Sequence, residues 1–238
     1  MTDIDQEMIN GVVNAIKAHT PLPELDVQYD LDEAYGLQHK VTSLVSPDRV
    51  GGVKLGVTNP QAQAFFGLDH ALLGSLYADA RLKPGDTIPS LKGRALETEF
   101  AVVVDRDGQP KAIAPAIEIV LVSFSRKSDM SAANLVLSNL GADLFLVGDF
   151  MPWDSPHTDV TATMTRDGET VNETSMNEAL GGPTAALPWI WAEMQARGYP
   201  VQDETLIMMG ACGNVVSAKN GVYYADYGAL GSVEFSVG

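Results

Sequence analysis

The spacing of apolar residues predicts a helical start to the chain. Across residues 4–18 apolar side chains return every three or four positions, which is the period of an amphipathic helix. Pro21 and Pro23 end that segment, and Asp30 then opens a second helical segment as its expected N-cap. Three further helices are predicted later, at residues 61–68, 134–140 and 184–197.

Short apolar segments in the rest of the chain predict strands. They cover residues 49–60, 95–104, 112–122, 145–148, 158–166, 205–209, 222–227 and 232–237. Helices therefore come first, followed by many strands with one late helix. This order lacks the regular alternation of strand and helix that a doubly wound fold requires.

Three carboxylates lie on two neighbouring predicted strands. Glu97 and Glu99 are two residues apart, so on a strand they share one face, about 7 Å apart along the backbone. Glu118 interrupts a nearly continuous apolar run that begins at Pro115. A buried charge at such a position is costly unless it is paired or bound to a metal.

The turn between the two strands sets how these carboxylates meet. Asp107-Gly108 is favoured in two-residue hairpin loops, and such a loop pairs Arg106 with Gln109. Counting back along both strands places Glu97 opposite Glu118, with Glu99 as the diagonal neighbour. A slip of one residue would instead turn Glu118 to the other face.

The residues alone allow two interpretations of this cluster. Three like charges this close repel, so a positive partner is expected among them, and carboxylate oxygens suit Mg²⁺ or Mn²⁺. Alternatively, Glu97 and Glu99 line the wet side of an edge hairpin without any ion. The apolar surroundings of Glu118 raise the weight of the metal interpretation without deciding between the two.

Other candidate residues carry weaker signals. Lys54 lies among apolar residues and glycines, as an edge-strand lysine on the surface or as a fixed cation facing an anionic ligand. Asp79 by itself would be interpreted as a solvated side chain. His39 could act as a base, but a single histidine on an amphipathic helix is more often structural. The chain contains neither a Walker loop nor a Gly-X-Ser-X-Gly elbow.

Composition limits the classes of function. The 238 residues carry a formal net charge of −16, which argues against binding nucleic acid or an anionic membrane. Cys212 is the only cysteine, so no disulfide can form within the chain. The acidic N-terminus does not resemble a signal peptide, and no apolar run approaches the roughly 20 residues that span a bilayer. We therefore expect a soluble, cytoplasmic protein.

Six short motifs stand out along the chain. They are Ala-Tyr-Gly-Leu-Gln at 34–38, Val-Lys-Leu-Gly-Val-Thr at 53–58, Leu-Glu-Thr-Glu-Phe-Ala at 96–101, Pro-Ala-Ile-Glu at 115–118, Gly-Pro at 182–183 and Gly-Ala-Leu-Gly-Ser-Val at 228–233. Each is weak alone, but the series resembles, in matching order over nearly the whole chain, the fumarylacetoacetate hydrolase superfamily, in the branch of 2-oxopent-4-enoate hydratases and 4-oxalocrotonate decarboxylases.

This resemblance implies an α+β fold, a twisted mixed β-sheet roll with a helical N-terminal part. The helical part carrying the Lys54 strand would cover residues 1–80, and the metal-binding roll residues 81–238. The resemblance further implies Mg²⁺ or Mn²⁺ held by Glu97, Glu99 and Glu118. It implies Lys54 as an active-site cation and Asp79 as a possible acid–base partner. The resemblance also implies a homo-oligomer.

The chemistry implied is hydration of a 2-oxo or 2-hydroxydienoic acid to a 4-hydroxy-2-oxo acid. Alternatives are decarboxylation of a 2-oxo-enedioate, hydrolysis of a carbon–carbon bond as in acylpyruvate hydrolases, and a scaffold without catalysis. The hydrolases use a His/Glu pair, for which His39, His70 and His157 offer no obvious match. The sequence departs from the family pattern at Ala133-Asn134, at residues 173–177, at Gly182 and in the short link between Glu99 and Glu118. We expect these departures to affect the substrate end of the pocket and to leave the metal site intact.

Overall fold

The computed structural model describes residues 3–26, 28–47, 50–153 and 160–238. Over these ranges the α-helices are α1 (Asp3–Ala18), α2 (Leu31–Val45), α3 (Pro60–Phe66), α4 (Ala132–Leu137) and α5 (Pro183–Ala196). None of these described helices is long and apolar enough to cross a membrane.

Most strands belong to one mixed nine-stranded sheet. Its members are β1 (Val50–Gly56), β2 (Leu72–Tyr77), β3 (Arg81–Leu82), β5 (Arg94–Val104), β6 (Pro110–Leu121), β7 (Ala142–Val147), β8 (Met151–Pro152), β11 (Thr205–Met208) and β12 (Cys212–Ser217). The spatial order is β2-β1-β11-β5-β6-β7-β3, while β12 pairs with β5 and β8 with β6. The pairs β1–β11 and β3–β7 are parallel, and the other pairs of this sheet are antiparallel.

A second sheet of five strands packs over the first. It consists of β4 (Thr87–Ile88), β9 (Thr161–Arg166), β10 (Glu169–Ser175), β13 (Gly221–Asp226) and β14 (Ser232–Val237), in the order β10-β9-β13-β14-β4. Across the interface the Phe100 and Tyr227 rings meet edge to face at 5.2 Å, and the Tyr227 hydroxyl donates to the Ala116 carbonyl at 2.5 Å. The predicted α+β fold with a curled mixed sheet is confirmed.

The N-terminal helices form where local sequence favours them. Asp30 caps α2 as predicted: its side chain accepts the Glu33 amide at 2.8 Å, and the Glu33 carboxylate accepts the Asp30 amide at 3.1 Å. The buried face of α1 packs Ile9 and Val12 against Val41 of α2. The α-helical prediction for residues 4–18 is therefore confirmed.

Strands from both predicted parts of the chain build the same sheet. β1 and β2 come from residues before position 80, and β1 lies between β2 and the late strand β11. The described backbone thus carries one sheet across that position. The division at residue 80 stays a prediction about organisation.

One hairpin prediction is wrong in detail. The loop after β5 is one residue longer than expected, because the Asp105 amide donates to the Gln109 carbonyl and the Asp105 carboxylate accepts the amides of Asp107 and Gln109. A bulge in β6 then shifts the pairing back, so that Val103 lies opposite Ala112. The second hairpin signal is confirmed, with Asp167-Gly168 as a two-residue turn.

Candidate active site

β5 and β6 bring the three glutamates together. Glu97 pairs directly with Glu118, and Glu99 pairs with Ala116 two positions along the same face. One carboxylate oxygen from each glutamate lies within 4.8 Å of the other two. The predicted register is therefore correct, because the bulge in β6 compensates for the longer loop. The role of these residues as metal ligands stays a prediction.

The cluster is buried and has few hydrogen-bond donors. Glu99 and Glu118 are 0% and 1% exposed. The Gly210 amide donates to Glu99 Oε2 at 2.9 Å, and Lys54 Nζ lies 2.8 Å from Glu118 Oε1. Glu99 Oε1 and Glu118 Oε2 accept no hydrogen bond from the residues that the structure describes. Buried acceptors without partners are rare in folded proteins and call for an explanation.

Burial and mutual repulsion shift the pKa of each carboxyl upward. Burial first, and then the charge of Glu118, raises the pKa of Glu97 to about 7. The same two causes, joined by Glu97, hold the pKa of Glu99 well above its ordinary value. Burial also raises the pKa of Glu118, although the ammonium of Lys54 opposes the shift. The folded protein resists carrying all three negative charges at once.

The donor set fits a divalent cation. Three ionised carboxylates and one ammonium leave two uncompensated negative charges, which one such ion neutralises. Oxygen atoms are the ligands that hard cations prefer, and here Glu99 and Glu118 each carry a buried oxygen without a donor. The geometry therefore supports a metal centre at Glu97, Glu99 and Glu118.

Lys54 reaches this cluster from β1. Its side chain is 1% exposed, and Nζ also donates to the Leu140 carbonyl at 3.0 Å. Gly74 faces it on β2, where a Cβ atom would come within 3.1 Å of Lys54 Cε. Glycine at this position therefore leaves space for the lysine that a side chain would reduce. The interpretation of Lys54 as a surface lysine is excluded, whereas its role toward a ligand stays a prediction.

A pocket of about 180 Å³ opens beside Lys54 and Glu97. Its apolar lining comes from Val57, Ala62, Val120, Val122, Leu135, Leu140, Ala211 and Val215. Thr58 and Asn59 also line it, but the Asn59 side chain already accepts the Ala62 amide as the cap of α3. Lys54 is the single basic side chain among the described residues of this lining.

Asp79 lies in a different place from the other predicted site residues. Its carboxylate accepts a hydrogen bond from the Ser46 hydroxyl at 3.1 Å. It lines a separate cavity of about 330 Å³ with Tyr77 and Asp143, and neither Lys54 nor the glutamates belong to that lining. The acid–base role of Asp79 stays a prediction that this arrangement does not favour.

The described histidines and the residues that depart from the family pattern can be compared with the pocket lining. The His39 ring contacts the Arg197 carbonyl at 2.8 Å and meets Tyr199 edge to face, as a structural histidine does. The His70 ring contacts the Ala71 carbonyl, and His157 lies outside the described residues. Neither residues 173–177 nor position 182 line the 180 Å³ pocket.

Sequence reasoning did not single out two groups that hold the site. The Gly210 amide binds Glu99, and a Cβ at this position, where φ is +96°, would fall 2.3 Å from Thr58 Cγ2. The Leu140 carbonyl binds Lys54 from a turn of left-handed backbone. The glycine at 210 and the Asn-Leu-Gly sequence at 139–141 were the available signals, because asparagine and glycine tolerate such backbone.

The chain is similar in sequence to known hydratases and decarboxylases. No protein-family model matches it. It is 30% identical over 236 residues to a 2-keto-4-pentenoate hydratase of Paraburkholderia phymatum, covering 91% of this chain and 89% of the relative. It is 26% identical over 203 residues to a 4-oxalocrotonate decarboxylase of a Pseudomonas species, covering 78% and 77% of the two chains.

A solved structure gives the same result for the fold. A 4-oxalocrotonate decarboxylase from Pseudomonas putida G7, complexed with magnesium and adipate, superposes with a TM-score of 0.90 at 18% identity, covering 100% of this chain and 98% of that one. The resemblance inferred from the motifs is thereby confirmed. The chain belongs to the 2-keto-4-pentenoate hydratase family.

Proposed function

We propose that this protein is a hydratase dependent on a divalent metal, which converts a 2-oxo or 2-hydroxydienoic acid to a 4-hydroxy-2-oxo acid. One observation carries the proposal: three carboxylates, two of them fully buried, converge beside the buried Lys54, and Lys54 and Glu97 line a small apolar pocket. Several relatives at about 30% identity bear the name of this activity, which supports the same reaction.

Glu97, Glu99 and Glu118 would hold the ion, which we propose to be Mg²⁺ or Mn²⁺ because only carboxylate oxygens are offered. When bound, the cation supplies Lewis acidity that stabilises negative charge developing on a substrate oxygen. The buried position of Glu99 and Glu118 keeps water away from them. Low local polarity strengthens each electrostatic interaction in such a site.

Lys54 supplies the positive charge of the pocket itself. Its ammonium lies at the boundary between the glutamates and the apolar lining, so it can neutralise a substrate carboxylate. The same group would pass a proton to the substrate chain during hydration. The ammonium forms an ion pair with Glu118 and donates one of its three hydrogens to the Leu140 carbonyl, so it keeps donor capacity for a substrate.

The proposal does not require Asp79 in the pocket. A general acid or base must come within hydrogen-bond reach of the proton it transfers, directly or through one water. Asp79 lines the other cavity and accepts a hydrogen bond from Ser46. We propose it as a secondary partner whose contribution its substitution by asparagine will measure.

The pocket lining favours hydration over decarboxylation of an enedioate. A 2-oxo-enedioate brings a second carboxylate, which is costly to bury without a partner. Among the described lining residues Lys54 is the one basic side chain, and the remaining wall is mostly apolar. A substrate with one carboxylate and an uncharged tail fits these walls better.

Two substrates distinguish the alternatives. The purified protein, loaded with Mg²⁺ or Mn²⁺, is incubated with 2-hydroxypenta-2,4-dienoate and, separately, with 2-oxohex-3-enedioate. We expect the diene absorbance to disappear in the first reaction, with little release of CO₂ in the second. The Glu99→Gln protein is the control for activity that does not depend on the site. CO₂ release without hydration would establish the decarboxylase instead. A folded wild type that binds neither ion in a calorimetric titration would leave only the scaffold interpretation.

A further inference from the structure

A turn of left-handed backbone lies directly beside Lys54. Asn139, Leu140 and Gly141 follow one another with φ values of +55°, +54° and +66°. Asparagine and glycine tolerate this region, but a bulky residue such as leucine rarely adopts it. Strained backbone of this kind persists only when its surroundings hold it in place, and it occurs frequently at functional sites.

The side chain of Asn139 holds the turn. It is completely buried, and its Oδ1 accepts the Ser75 amide at 2.7 Å while its Nδ2 donates to the Ser75 carbonyl at 2.8 Å. Both bonds end on one residue of β2, next to Gly74, which pairs with Lys54. The turn is thus fastened to the strand that borders the lysine.

The turn gives Leu140 two contacts with the site. Its carbonyl accepts a hydrogen from Lys54 Nζ at 3.0 Å, and its side chain lines the pocket. Gly56 leaves space for that side chain, since a Cβ there would lie 3.0 Å from Leu140 Cδ1. A change to right-handed backbone would rotate the peptide and withdraw the carbonyl from the lysine.

We propose that Asn139 is a positioning residue for Lys54. By clamping the left-handed turn to Ser75, Asn139 fixes the Leu140 carbonyl, and this carbonyl together with Glu118 aims the ammonium into the pocket. The catalytic consequence rests on the hydratase function proposed above. The placement of Lys54 does not, and it can be measured separately.

Asn134 provides a matched control for the test. It is also a buried asparagine, 8% exposed, and its Nδ2 donates to the Asp129 carbonyl at 2.8 Å. It lies in α4, five residues before Asn139. Asn139→Ala and Asn134→Ala therefore remove similar buried amides from one segment, but only the first holds the turn beside Lys54.

Two measurements are made on both variants and the wild type. Reductive methylation with mass spectrometry of the Lys54 peptide reports how well the ammonium is held, and kinetics on 2-hydroxypenta-2,4-dienoate report kcat and KM. In the Asn139→Ala protein we expect the reagent to methylate Lys54 several times faster than in the wild type. We also expect kcat to be lower by about 10- to 100-fold, with KM changed far less. Asn134→Ala should match the wild type in both measurements, even where its thermal stability falls by a similar amount.

Equal behaviour of the two variants would overturn the proposal, because the asparagine would then act only on stability. Should Asn139→Ala fail to fold, Asn139→Gly and Asn134→Gly replace the pair, since each removes the side-chain amide and glycine tolerates the left-handed backbone at position 139. The same direction is expected for them. A wild type without hydratase activity would remove the proposed function, while the methylation rates would still decide the role of Asn139.

Discussion

Two cavities on the same sheet differ in how their charges are compensated. The larger, about 330 Å³, contains Asp143, whose carboxylate lies 2.7 Å from the Arg94 guanidinium and 3.0 Å from the His19 ring. The smaller, about 180 Å³, is lined by Lys54 and Glu97, and Lys54 is the one ammonium beside the cluster of Glu97, Glu99 and Glu118 among the described residues. In the larger cavity each buried charge has a partner, whereas the smaller is left with excess negative charge.

Of these two cavities, the larger is the one whose buried charges are already compensated. Ion pairs such as Arg94–Asp143 satisfy each other and hold β5 to β7. Carboxylates buried together without enough donors are unstable by themselves and indicate a ligand that is bound during function. The glutamate cluster is therefore the better candidate for chemistry, and four experiments test the contrast.

The largest effect is expected from Glu99→Gln. Glutamine keeps the shape and can still accept the Gly210 amide, but the charge is lost. Affinity for Mn²⁺ should fall by about a hundredfold or more, and catalytic activity should fall with it. A residue that binds the ion directly should contribute at least as much affinity as residues that only hydrogen-bond to its ligands. Calorimetry measures the affinity, and Glu173→Gln on an exposed strand position is the control. Unchanged affinity would remove Glu99 from the metal centre.

Arg94→Met should give the opposite pattern. It leaves Asp143 buried without its main partner, which should lower the free energy of unfolding by about 3–5 kcal/mol. Metal affinity should stay within about twofold, because Arg94 does not border the pocket of Lys54. Urea unfolding and calorimetry measure the two quantities. A parallel loss of metal affinity would show that the two cavities are coupled.

The metal-free protein should lose stability as pH rises from about 5 to 8. The pKa of Glu97 is about 7 in the folded state against 4.5 ordinarily, so the folded state binds more protons within this window. The free energy of unfolding is therefore greatest below this pH window and falls as Glu97 ionises. The fall is at most about 3 kcal/mol, and solvent screening reduces it further because Glu97 is partly exposed. Urea unfolding with EDTA measures this loss, which excess Mg²⁺ should remove. Stability that increased over this range would contradict the repulsion inferred here.

The smallest effect is expected from Asp79→Asn. Because Asp79 lines the larger cavity, kcat/KM should fall less than about tenfold and Mn²⁺ affinity should not change. Steady-state kinetics on 2-hydroxypenta-2,4-dienoate provide the measurement. A loss of about a hundredfold or more would instead support the acid–base role implied by the family resemblance.

Local patterns predicted the elements that form without distant help. The periodicity of α1 and the cap at Asp30 act within a few residues, and so does the Asp167-Gly168 turn. β12 was missed because distant contacts build it. The Asn172 side chain donates to the Cys212 carbonyl and accepts the Asn214 amide, across 40 residues of chain or more.

The register of the glutamate hairpin was right although the turn was wrong. The longer loop depends on hydrogen bonds to Asp105, and its effect is cancelled by the bulge before β6 regains its pairing. Apolar faces of both strands restrict the pairing to alternatives that keep them buried. Burial thus determined the register more strongly than the turn residues did.

The sequence by itself determined that Glu97 and Glu99 share a face, and that Glu118 lies in an apolar strand beside them. Both follow from the two-residue period of strands and from the order of residues in one hairpin. Only the tertiary structure decided that the ammonium of Lys54 lies beside these carboxylates. β1 is separated from β6 by β11 and β5, about 14 Å across a flat sheet at the usual strand spacing. The curl of the sheet and the long side chain of Lys54 bring Nζ to 2.8 Å from Glu118 Oε1. No local sequence pattern predicts the curl or this contact.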